Sequence, residues 1–144
     1  MTSTYETVEI GATETFGSYD VTAEEIVAFA EQYDPQPFHV DPAVAEDSMF
    51  GELVASGWHT AAMTMRMLVD NQLNDSAAMG SPGLEELRWR HPVRPGDVLS
   101  VETEHVDKEP WDDDRGMVTT KITTRNQDDD PVMVMTANVL YGRS

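Results

Sequence analysis

"SGWHTAAMTMRMLVDNQL", residues 56–73, decides the fold. From Gly57 to Val69 it holds one charged side chain, Arg66, and it places apolar side chains on nearly every face of a helix. A helix that is apolar all round is a buried helix. The stretch therefore predicts a long helix enclosed by the rest of the chain, capped by Ser56 and opened by Gly57. Trp58, Met63, Met65 and Met67 then belong to the core, and part of that face can line a tunnel. Downstream, "LEELRWRHPV" (84–93), "GDVLSVETEHV" (96–106), "GMVTTKITTR" (116–125) and "PVMVMTANVLYG" (131–142) are rich in Val, Thr and Ile, alternate in part, and are parted by turn residues. These are strand signals. The acid-rich "WDDDRG" (111–116) and "NQDDDP" (126–131) predict turns. One long buried helix followed by a run of antiparallel strands predicts an α+β layer in which the sheet wraps the helix. No repeat or linker interrupts the 144 residues, so residues 1–144 read as one domain.

Upstream, "VTAEEIVAFAEQYDP" (21–35) predicts an earlier helix. Thr22 and Glu25 have capping-box spacing, Ile26, Phe29, Ala30 and Tyr33 share a face, and Pro35 stops the helix near Asp34. The next segment, "YDPQPFHVDP" (33–42), holds three prolines, with Asp34 and His39 among them. A residue before proline is pushed out of the helical region, so Asp34 and Gln36 are held extended and their side chains are aimed in advance. Two readings fit this stiffness: a rigid turn in which Asp34 caps and His39 packs, or a site that keeps two groups at a fixed separation.

"DPQPFHVDPAVA" (34–45) resembles the signature of the MaoC-like, R-specific enoyl-CoA hydratases: an acid, a spacer ending in an amide, a proline, an apolar residue, a histidine, and a small residue six positions on. "FGELVASGWHTAAMTMRMLVD" (50–70) is similar to that family's entry into its central helix, and the likeness spans residues 20–142. The chain carries Gln36 where many members have asparagine. The resemblance implies a hot-dog fold, a homodimer or higher homo-oligomer, and an acyl-CoA substrate. It also implies addition of water to a 2-enoyl-CoA to give the (R)-3-hydroxyacyl-CoA, or the reverse, with Asp34 and His39 holding the water. Such chemistry needs a base for the water, a proton for C2 and a donor for the thioester oxygen. Ser56 and Gly57, at the start of a buried helix, offer unpaired amides and a positive dipole end for that oxygen, and glycine lets a thioester come close. Read without the upstream motif, the same two residues are only a cap.

Two other functions fit the same fold. A thioesterase would use a carboxylate on the central helix, and none occurs between Gly57 and Val69. A non-catalytic acyl-thioester-binding subunit would not need an acid and a histidine held in place. His59, one turn inside the helix, reads as a core histidine. Arg88, Arg90 and Arg94 gather three of the nine basic residues, either to meet the phosphates of coenzyme A or to pair with carboxylates on a strand face.

Nine Lys plus Arg against 27 Asp plus Glu give a net charge of −18, which disfavours nucleic acid and anionic membranes as partners. The acids are scattered and Lys108 and Lys121 are the only lysines, a pattern expected of a protein adapted to high salt, with an acidic interaction surface as the other reading. There is no cysteine, and His39, His59, His91 and His105 lack metal-ligand spacing, so neither a metal nor another cofactor is expected. The start has no leader pattern and no apolar run approaches the roughly 18 residues of a membrane span, so a cytoplasmic location is expected.

Overall fold

The computed structural model describes residues 3–144. Strand β1 (Thr13–Asp20) leads into helix α1 (Ala23–Tyr33), two short helices α2 (Pro37–Val40) and α3 (Pro42–Glu46), and the long helix α4 (Gly57–Asn71). Strands β2 (Ala78–Trp89), β3 (Val98–Pro110), β4 (Arg115–Arg125) and β5 (Pro131–Gly142) follow. The five strands form one sheet in the order β1-β3-β4-β5-β2, with every neighbour antiparallel.

Alternation along the strands aims one set of side chains at the central helix. Leu99 and Val101 of β3, Ile122 of β4, and Met133, Met135 and Ala137 of β5 bury against Met63, Met67 and Leu68 of α4. Polar members of the same inward set are paired, as burial requires. Thr64 Oγ1 donates to the Thr60 carbonyl at 2.9 Å and meets Thr124 Oγ1 at 2.7 Å, and Gln72 Nε2 donates to Thr103 Oγ1 at 3.0 Å. The two acid-rich segments are turns, as their composition predicts.

Three expectations need correction. Trp58 and Met65 are not core: they remain 60% and 48% exposed, so α4 shows one apolar face instead of being enclosed all round. That face adjoins edge strand β2, where Met79, Leu84 and Trp89 are also exposed, and Met65 and Leu84 line one apolar hollow of about 460 Å³. Strand β2 begins at Ala78, earlier than the 84–93 run predicts, because an edge strand tolerates Gly80, Pro82 and Gly83. Residues 90–93 lie outside it.

Strand β1 gives little signal in the sequence, since Phe16 and Tyr19 are its only large apolar residues and Gly17 breaks their alternation. The glycine is needed there. It has a φ of +88°, and a β carbon on it would stand 2.6 Å from Met67 Sδ.

Candidate active site

Thr22 caps α1 by accepting the Glu25 amide at 3.2 Å, and Asp34 closes the helix, its amide donating to the Ala30 carbonyl at 2.8 Å. The prolines do more than stiffen the next segment. Pro37 and Pro42 each occupy the first position of a short helix, where a missing N–H costs nothing. His39 is thereby carried on α2 and folded back beside Asp34 instead of standing on an extended strand.

His39 is buried, and its Nδ1 lies 2.7 Å from the Val54 carbonyl. A carbonyl only accepts, so Nδ1 carries a proton and Nε2 is the basic nitrogen of the neutral ring. Nε2 stands 3.5 Å from Asp34 Oδ2. With the ring neutral and the carboxyl ionised both groups are acceptors, and what they can hold together, beside the 3.5 Å gap, is a molecule with two O–H donors. The protonated ring can instead donate to the carboxylate directly.

The Asp34 carboxylate is held at both oxygens. Ser56 Oγ donates to Oδ2 at 2.7 Å and Gln36 Nε2 donates to Oδ1 at 2.7 Å. Burial alone would raise its pKa, but the hydrogen bonds from Ser56 and Gln36, helped by the nearby His39, outweigh that effect and hold the carboxyl below its ordinary range. Asp34 is an anion at neutral pH.

Ser56 caps α4, its Oγ accepting the Trp58 amide at 3.3 Å while donating to Asp34. One hydroxyl thus joins the carboxylate to the helix start. The Gly57 amide has no intrahelical partner, as is general for a first turn. Close approach to Gly57 is made by Trp89: its Nε1 donates to the Gly57 carbonyl at 2.9 Å, and a β carbon on residue 57 would lie 2.5 Å from the indole. Glycine is required first for this tryptophan, a reason the sequence does not disclose. Trp58 meets Trp89 edge-on with centroids 5.2 Å apart.

A cavity of about 340 Å³ opens over these groups, lined among others by Asp34, His39, Ser56, Gly57, Trp89 and Arg90. The three arginines are not brought together. Arg90 lines the cavity, whereas Arg88 lies 3.7 Å from Glu86 and Arg94 pairs with Glu52 at 3.1 Å, both outside the lining. The sequence reading missed the Ser56–Asp34 bond and the places of Trp89 and His91 in the cavity wall. No local pattern signals a contact between residues 22 positions apart. Among the described residues no helix is long and apolar enough to cross a membrane.

A family model described as "MaoC like domain" matches residues 7–127. Among solved structures, the MaoC-like dehydratase from Rhodospirillum rubrum superposes with a TM-score of 0.90 at 40% identity, covering 98% of this chain and 97% of that one. The R-hydratase PhaJ1 from Pseudomonas aeruginosa superposes with a TM-score of 0.78 at 25% identity, covering 99% and 88%. A 3-hydroxybutyryl-CoA dehydratase from Methylorubrum extorquens is 31% identical over 101 residues, which are 69% of this chain and 62% of that protein. A five-stranded antiparallel sheet with a central helix is the hot-dog architecture these neighbours share.

Proposed function

Because the chain belongs to the MaoC-like dehydratase family, we propose that it adds water to the double bond of a 2-enoyl-CoA to give the (R)-3-hydroxyacyl-CoA, or catalyses the reverse dehydration. The observation that carries this reading is the pairing of an anionic Asp34 with the Nε2 lone pair of His39, 3.5 Å apart in a cavity at the start of α4. Water held there donates one hydrogen to each group and directs its oxygen lone pair at C3. As the C3–O bond forms, His39 Nε2 takes a water proton and the C2=C3 electron pair moves toward the thioester, making an enolate. The enolate oxygen sits at the positive end of α4, with the Gly57 amide as donor. The pair then returns a proton to C2, so the protein ends unchanged and the net addition is one water. No metal or redox cofactor enters this sequence.

Hydrolysis of the thioester fits less well. The one carboxylate on α4 is Asp70, in its last turn and paired with Arg66 at 2.8 Å, far along the helix from Ser56. For the carrier, Arg90 is the cation placed to meet a phosphate of coenzyme A. The exposed apolar residues of α4 and edge strand β2, namely Trp58, Met65, Met79, Leu84 and Trp89, support a homodimer joined along that edge.

The test is mutational. Asp34→Asn and His39→Ala should each lower kcat by about 10²- to 10⁴-fold, the usual range for general acid–base groups. The double variant should be no worse than the poorer single one, since the two act on one water. Near-normal turnover in either single variant would remove the pair from the mechanism.

A further inference from the structure

A second set of polar side chains converges outside the cavity. Tyr19 near the end of β1, Glu25 in the first turn of α1 and His59 in the first turn of α4 meet at one atom. The Tyr19 hydroxyl donates to Glu25 Oε1, and His59 Nε2 lies 3.0 Å from the same oxygen. His59 is 3% exposed and stacks on Phe29, with centroids 4.7 Å apart and planes 10° from parallel. Its Nδ1 has no partner among the described residues. Nε2 must donate to the carboxylate, which leaves Nδ1 in the neutral ring as an unfilled acceptor. An apolar residue would fill this buried place without leaving a polar atom unpaired, so what the histidine supplies is its bond to Glu25.

The placement of that bond gives it a use. Two side-chain hydrogen bonds join α1 and its cap to α4 and its cap among the described residues: Asp34–Ser56 at the end of α1 and Glu25–His59 at its start. The first alone fixes a point about which α1 can pivot. The second acts nine residues away, about 13 Å at the helical rise, and removes the pivot. The Ser56 bond and the His39 gap share one atom, Asp34 Oδ2, so a pivot of α1 about it turns the carboxylate and its lone pairs against a His39 that the Val54 carbonyl holds independently. We infer that Tyr19, Glu25 and His59 are positioning residues which pin α1 to α4 and so set the angle at which the Asp34 carboxylate faces His39 as the two hold the water. The inference rests on the hydration reading of that site.

Both donors land on one oxygen, so an acceptor at that point matters more than the charge. Glu25→Gln keeps the acceptor, whereas Glu25→Asp keeps the charge but is one methylene short. Glu25 is 43% exposed in its side chain, so both variants should fold. Glu25→Asp should lower kcat about 10- to 100-fold, as misalignment of a catalytic group does, with KM within about twofold. Glu25→Gln should stay within about threefold of wild type on the same scale. A substrate-free readout accompanies the kinetics: the ¹H–¹⁵N imidazole resonances of His39 should move in Glu25→Asp and hold in Glu25→Gln. The reverse order would make the charge the agent, and no change in either variant would make the three residues packing only; both results overturn the inference. If the wild type hydrates no enoyl thioester, the hydratase reading fails by itself. The His39 spectrum then still decides the pin: movement confined to Glu25→Asp supports it, and an unmoved spectrum refutes it.

Discussion

Ser56→Ala separates two tasks that one hydroxyl performs. Removing the cap of α4 costs about 1 kcal/mol. Losing a hydrogen bond to a charged group costs about 1.5–3 kcal/mol when nothing replaces it, but the Asp34 side chain is 18% exposed, so water recovers part of that. The sum is about 2 kcal/mol, which for a chain of this size lowers Tm by about 8 °C. Linkage then gives the effect a pH signature. Burial would raise the Asp34 pKa, but the Ser56 and Gln36 hydrogen bonds prevail and hold it below the unfolded value of about 3.9. A depressed carboxyl contributes stability that is present above the unfolded pKa and is lost as pH falls through the folded one. Ser56→Ala lets the carboxyl rise toward its ordinary value, so the variant has less of this stability to lose. The Tm difference should be full above about pH 5 and should narrow below about pH 4 to the capping share alone. Thermal melts over that range, beside steady-state hydration at neutral pH, read both tasks, with kcat expected to fall about tenfold or more because Asp34 keeps only Gln36 to orient it. A variant with wild-type Tm and kcat, or a Tm difference independent of pH, would refute the link between Ser56 and Asp34.

Gly57→Ala forces the Trp89 indole aside, since its β carbon would lie 2.5 Å from the ring. Overpacking of this kind costs about 1–3 kcal/mol. Tryptophan fluorescence should change and kcat should fall by about 10²-fold, the scale of a lost oxyanion donor; an unchanged spectrum and rate would place the thioester elsewhere. Arg90→Ala should raise KM for a coenzyme A substrate more than for a short pantetheine thioester, while Arg88→Ala and Arg94→Ala should do neither, and equal effects on the two thioesters would remove Arg90 from carrier recognition. Stability should climb with salt, because a net charge of −18 repels itself across a Debye length of about 10 Å at 0.1 M and about 3 Å at 1 M. A Tm unchanged across that range of potassium chloride would count against the high-salt adaptation.

The central helix and the last three strands are legible in the sequence because each repeats one physical signal over many residues: continuous apolarity in 57–69, and alternation in β3, β4 and β5. The Asp34–His39 pair is legible because both residues lie in one short proline-framed segment, and proline acts locally. What escaped depends on tertiary contact. Trp58 and Met65 look like core by composition, yet their exposure follows from where edge strand β2 ends the sheet. Gly57 reads as a glycine kept for the approach of substrate, yet the group packed where its side chain would stand is the indole of residue 89. The two bonds that tie α1 to α4 join residues 22 and 34 positions apart, beyond any periodic pattern.

The most direct measurement follows the conjugation band of a panel of enoyl-CoAs as the protein is added, with free thiol read in parallel. Hydration predicts loss of the band with no thiol released, and a band that persists, again with no thiol, in Asp34→Asn. Thiol release, or a band that persists through the whole panel, would contradict the account.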